Sequence, residues 1–175
     1  MVRKINFDEG VIAKEVNLYS SVVEKLQQKY PLYFQNILCG FLEEYDVETQ
    51  EELNVMLKQF FYGWIFLDYL MIDGKKIIDF CIEMLDLSKN ELLMLEKIKS
   101  VKRGFFKIND NSNNVLKVTD IITKQKYDVS IIDFELKKGI IKANLVYNLE
   151  NNLFLFGGVE KIDKAKQYLR EEGLI

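Results

Sequence analysis

The chain has 175 residues, 49% of them apolar and 29% charged, with a net charge of −3. High apolar content with little net charge excludes extended disorder, and the length fits one ordinary domain or two small ones. His is absent, so no Ser-His or Cys-His nucleophile pair can form within the chain, and the commonest transition-metal ligand is missing.

Taken from the N-terminus, Met1–Glu9 carries charges with no apolar stretch behind them, which does not read as a signal peptide. From Val11 to Tyr30 the apolar positions Ile12, Val16, Tyr19, Val23, Leu26 and Tyr30 recur at steps of three and four, the period of one helical face. Pro31 ends that helix or starts the next. The next runs through Phe34, Ile37, Leu38, Phe41 and Leu42 to a solvated end at Glu43-Glu44-Tyr45-Asp46. The longest uncharged run, Tyr30 to Leu42, is 13 residues long, short of the roughly 20 that a membrane-spanning helix needs. The expectation is a cytoplasmic protein without a membrane span. Cys39 and Cys81 both sit in apolar runs and form no C-x-x-C, so they read as reduced, buried thiols.

Thr49-Gln-Glu-Glu52 reads as a capping box opening a helix through Leu53, Met56, Leu57, Phe60, Phe61 and Trp64. Asp73-Gly74 marks a turn, and Ile77, Phe80, Cys81, Met84 and Leu85 a further short helix. Ser88-Lys-Asn-Glu91 is a second capping box before a helix through Leu92, Leu95 and Ile98. Residues 1–100 are thus expected to form a bundle of about five helices.

Beyond Ser100 the period changes to two. Gly104–Ile108 reads as a strand, Asn109–Asn114 as a polar turn and Val115–Thr119 as a second strand. Lys126–Ile131 alternates Tyr127, Val129 and Ile131 against Asp128 and Ser130. Ile140–Tyr147 and Leu153–Phe156 read as a hairpin turning at Glu150-Asn-Asn152, and Val159–Gly173 as an amphipathic C-terminal helix. The expected fold class is α+β: a helical bundle, then a small five-stranded antiparallel barrel-like sheet closed to remove its edges, then a helix. The two parts, residues 1–100 and 101–175, are expected to pack as one rigid unit with Trp64 at or near their contact. They differ in charge: 11 Lys and Arg against 17 Asp and Glu in the first, a net of −6, and 13 against 10 in the second, a net of +3.

The order Phe60-Phe61-x-x-Trp64-x-x-x-Asp68, Asp73-Gly74, the helix capped at Ser88, Phe105-Phe106-Lys-Ile, Asp120-Ile-Ile-Thr-Lys124 into Tyr127-Asp-Val129, Gly139 and Leu153-Phe-Leu-Phe-Gly157 resembles a group of uncharacterised prokaryotic proteins. Some members of that group carry a C-terminal SEC-C zinc motif. Here Lys124 stands where the pattern favours Gly, and no third or fourth Cys is present, so the resemblance implies a fold and no metal or reaction.

The candidate binding residues are Trp64, Asp68, Lys102, Arg103, Phe105 and Lys107. Trp64 and Asp68, one helical turn apart, suit a patch in which the indole stacks on a partner; structurally, the same Trp fills a core and the Asp caps a turn. Lys97, Lys99, Lys102, Arg103 and Lys107 beside Phe105 and Phe106 suit single-stranded nucleic acid, or simply a solvated helix end where Lys complements the dipole. The acidic run Glu43, Glu44, Asp46, Glu48, Glu51 and Glu52 suits a basic partner or a cation, or a solvated loop. Asp110–Asn114 begins like a calcium loop but has Val115 where the loop needs Gly and Ile121 where it needs Glu, which excludes it. No Gly-rich phosphate loop or nucleophile elbow occurs. No catalytic residue, metal site or cofactor is therefore expected. The leading expectation is a non-enzymatic protein-interaction or adaptor module with an unidentified protein partner; the alternative is nucleic-acid binding through the C-terminal β half. The sequence leaves the oligomeric state open.

Overall fold

The computed structural model describes residues 11–45, 60–131, 136, 138–157, 159–162, 165–171 and 173. Chain contacts divide it into two compact units, Gly10–Ser100 and, after the change of period, Val101–Ile175. The expected capping box at Thr49 and most of its helix lie outside the described residues.

In the helical unit, α1 (Val11–Lys29), α2 (Pro31–Tyr45), α3 (Ile77–Met84) and α4 (Lys89–Lys99) are joined by a π-helical segment, Trp64–Asp68. Helix α1 packs on α2 and α4, and α3 packs on α4 and the π segment. The buried face of α1 runs through Tyr19, Val22 and Leu26. Val22 thus takes the central place that the spacing assigned to Val23. Ser88 caps α4 with both reciprocal bonds of the capping box: Glu91 N–H donates to Ser88 Oγ at 3.3 Å, and Ser88 N–H to Glu91 Oε2 at 2.6 Å. The same carboxylate accepts from Ser21 Oγ at 2.6 Å and from Lys25 Nζ at 2.7 Å, so one Glu caps α4 and ties it to α1. Lys25 and Lys29 also donate to the carbonyls of Asp86 and Met84, the orphan acceptors left where α3 ends.

The second unit is a sheet of six strands: β1 (Lys102–Ser112), β2 (Val115–Asp120), β3 (Lys126–Ser130), β4 (Ile140–Tyr147), β5 (Leu153–Leu155) and β6 (Glu160–Lys161), followed by the short helix α5 (Ala165–Glu171). Strand β1 lies between β2 and β4, β3 pairs with β2, and β5 bridges β3 to β4, closing a ring of five. The expected all-antiparallel barrel is corrected here, because β3 and β5 run parallel. The reason is parity: five strands cannot alternate direction all the way round a ring, so one adjacent pair must run the same way. The spatial order β4-β1-β2-β3 is a Greek key. The barrel interior holds Phe106, Ile108, Leu116, Val118, Tyr127, Val129, Ile131, Ile141, Ala143, Leu145 and Leu153.

Other expectations also change. Asn109–Ser112 is strand rather than turn; β1 pairs with β4 over Lys102–Lys107 and with β2 from Phe106 to Ser112, across a bulge between Ile108 and Asp110. The turn shrinks to Asn113 and Asn114, both at positive φ (54° and 59°), as a two-residue primed hairpin requires. The described C-terminal helix is Ala165–Glu171, and Glu160–Lys161, expected within it, instead pairs with β4.

Candidate nucleic-acid interface

Along β1, Phe106 and Ile108 point into the barrel and are 0% and 3% exposed. Side chains alternate along a strand, so Arg103, Phe105 and Lys107 lie on the outer face. The register extends that face across the sheet. Lys107 is paired with Thr119 of β2 and Ile140 of β4, and Thr119 in turn with Lys126 of β3. Phe105 is paired with Lys142, and Arg103 with Asn144. Arg103, Lys107, Lys126 and Lys142 are all exposed, and Phe105 is half-buried among them. One rung further along, Lys117 sits between Asp110 and Asp128, and beyond Lys142 lies Glu160 of β6.

Two polar links on this face run between neighbouring strands. Arg103 Nε donates to Asn144 Oδ1 at 3.0 Å, and Asn109 Nδ2 donates to Thr119 Oγ1 at 2.8 Å. Lys107, Lys126 and Lys142 join no salt bridge among the described residues. The face thus presents four cations around an aromatic ring; among the described residues, the one carboxylate in the rows that hold them is Glu160, paired with Lys142 at the β6 edge.

The structure divides the sequence candidates. Arg103, Phe105 and Lys107 are brought together on the outer face. Lys102, on the opposite phase of β1, places its ammonium 5.6 Å from the centre of the Tyr127 ring, a cation–π contact at the barrel end. Phe106 of the same basic-aromatic run is core. Lys99 is held on α4 by Asp79 at 3.1 Å and Glu96 at 3.7 Å; the hydrogen bond and charge of Asp79 raise its pKa. Lys126 and Lys142 were missed, although each occupies the outward phase beside a buried neighbour, Tyr127 or Ile141. Their phase was readable; the strand register that sets them beside Lys107 was not.

Trp64 is a core residue. It is 4% exposed, its ring meets Phe41, Phe61 and Tyr69 at 5.1–6.4 Å, and Gly40 leaves room for the indole edge. All these partners belong to the helical unit. Its Nε1–H donates to Glu44 Oε2 at 2.6 Å, which gives one member of the acidic run a structural task. Asp68 is exposed and engaged in other contacts, at the end of a segment closed by the i→i+5 bond from Tyr69 N–H to the Trp64 carbonyl.

The Asp120-Ile-Ile-Thr-Lys124 turn is likewise structural. Asp120 Oδ1 accepts from the N–H groups of Ile122 and Thr123 at 2.8 and 2.9 Å, and Lys124 sits at φ 61°, the region where Gly is at ease. Cys81 is buried, as expected, but Cys39 is exposed; α2 is apolar nearly all round, so its sequence does not show which side faces the core. Among the described residues no three acidic or Cys side chains gather as a metal site, and no helix is long and apolar enough to cross a membrane.

No protein-family model matches the chain, and searches of curated proteins and of solved structures return no match.

Proposed function

We propose that the β unit binds nucleic acid through the outer face of β1, β3 and β4. The observation that carries this reading is the cluster of Arg103, Lys107, Lys126 and Lys142 around Phe105, set on one exposed face by the strand register. Cations in that arrangement neutralise phosphates and release their counterions, while an aromatic among them offers a surface for a base. Two further points support it. The unit is a five-stranded Greek-key barrel, the architecture of oligonucleotide-binding OB-folds; this is an analogy of fold, which by itself assigns no function. The β half also carries a net of +3 in a chain whose helical half carries −6. Lys and Arg outnumber the acids where the patch lies, by a small margin. The expected binding is accordingly salt-sensitive and of moderate strength.

The test is the salt dependence of oligonucleotide binding. Four phosphate contacts, at about 0.7 each for a single strand, give a log–log slope near −3. Binding that ignores salt, or no binding at low salt, would remove the reading.

A second reading, docking of a protein partner on the helical unit, is favoured by one observation. The turn at Asp73-Gly74 carries Ile72 fully exposed at its tip, with Leu70 exposed beside it. Under this reading Ile72→Asp abolishes association with a purified partner and leaves nucleic-acid binding intact. Both readings are non-enzymatic.

A further inference from the structure

The cations do not cover the face evenly. Lys126 and Lys107 flank Thr119 in one row, two strand spacings or about 9–10 Å apart. Lys142 lies diagonally from Lys107, and Arg103 diagonally from Lys142, at about 7–8 Å in each case. The four therefore form a band that crosses β3, β2, β1 and β4, with Phe105 as its apolar floor. Along one side the band is bordered by the row Asp110, Lys117 and Asp128, and Glu160 closes its β4 end opposite Lys142. Asp110 and Asp128 lie one rung away, about 6.7 Å along the strands.

A duplex presents two phosphate backbones separated by grooves about 6 and 12 Å wide. With one backbone seated on the band, the other falls over the row of Asp110, Lys117 and Asp128, where two carboxylates outnumber the one cation and oppose it. A single strand brings one backbone and unstacked bases, and Phe105 can take a base only from a strand whose bases are free. We propose that this face is a single-strand site, with the strand laid across β3, β2, β1 and β4, and that Asp110 and Asp128 discriminate against duplex. The inference rests on the nucleic-acid reading above and deepens it.

The experiment compares a labelled oligonucleotide of about 10 nucleotides with the same oligonucleotide annealed to its complement, by fluorescence polarisation at one low salt concentration with the full chain. The wild type is expected to hold the single strand at least roughly tenfold tighter, since opposed like charges are costly. The double variant Asp110→Asn, Asp128→Asn is expected to narrow that gap by strengthening duplex binding. Phe105→Leu, checked for an unchanged melting curve, is expected to weaken the single strand roughly 5- to 100-fold while leaving the salt slope alone. Equal or tighter duplex binding by the wild type overturns the inference and leaves the nucleic-acid reading standing. So does a gap that the Asp110→Asn, Asp128→Asn variant does not change. Failure of both probes to bind overturns the reading itself, and the inference with it. If Phe105→Leu does not fold, the surface double variant carries the test alone.

Discussion

Replacing Glu91 by Gln probes a buried charge that caps α4 and ties it to α1. The side chain is 3% exposed. Burial alone raises the carboxyl pKa, but the hydrogen bonds from Lys25, Ser21 and Ser88 outweigh it and bring the pKa down to about 2. An unperturbed Glu titrates near 4.3, so the shift corresponds to about 3 kcal/mol of preference for the ionised form in the folded state. Lys25 is 36% exposed, and water screening at that end brings the expectation to about 2–3 kcal/mol. The sign follows from linkage. A carboxyl whose folded pKa is depressed contributes stability above its unfolded pKa and loses it as pH falls through the folded value. The contribution should therefore be complete above about pH 5 and disappear between about pH 4.3 and pH 2. Glu91→Gln imitates the protonated form, so at pH 7 it should cost the same 2–3 kcal/mol. The chain's single Trp lies at position 64 in the helical unit, so its fluorescence during urea unfolding reports that unit. Measured from pH 7 to pH 2, the wild type should converge on the variant. Parallel pH profiles, or a variant as stable as wild type at pH 7, would refute the reasoning.

Trp64→Ala should cost about 3–5 kcal/mol, as buried aromatic truncations do, read by far-UV circular dichroism during denaturant unfolding; a loss under about 1 kcal/mol would mean that the aromatic cluster is not core. Asn114 holds φ 59°, so Asn114→Gly should hold or raise the thermal midpoint and Asn114→Val should lower it; the reverse order would contradict the primed turn. Of the two thiols, exposed Cys39 should react with a thiol reagent in the folded protein. Cys81, buried and with its pKa pushed up by that burial to about 12, should react only on unfolding, and two fast reactions would show that α3 is not packed as described.

Much of the fold follows from local pattern. Ser88 and Glu91 announce the start of α4, Asp73-Gly74 the turn before α3, and the strict alternation from Lys126 to Ser130 the strand β3. What escaped reading depends on distant partners. Asn109–Ser112 is polar and looks like a turn, yet becomes strand because β2 offers it a ladder beyond a bulge. Glu160-Lys161 is strand only because β4 has backbone groups free to pair with it. The parallel contact of β3 with β5 comes from closing an odd ring, which no single segment encodes. The candidate site shows the same split. Arg103, Phe105 and Lys107 are visible as an alternating basic-aromatic run, whereas Lys126 and Lys142 join them only through cross-strand register. Trp64 stood out by rarity, and its rarity reflects a core role shared with Phe41, Phe61 and Glu44.

The central claim, that the outer face of the barrel binds nucleic acid, is tested most directly by moving charge on that face alone. Lys107→Glu, Lys126→Glu and Lys142→Glu together change the net charge by −6, and so does the control Lys75→Glu, Lys76→Glu and Lys89→Glu in the helical unit. Oligonucleotide affinity at low salt should fall by at least about 100-fold in the first variant, which loses three phosphate contacts, and stay within about threefold of wild type in the second, whose lysines make none. Equal losses in the two variants would show that overall charge, not this face, governs binding, and undiminished binding by the first would contradict the account.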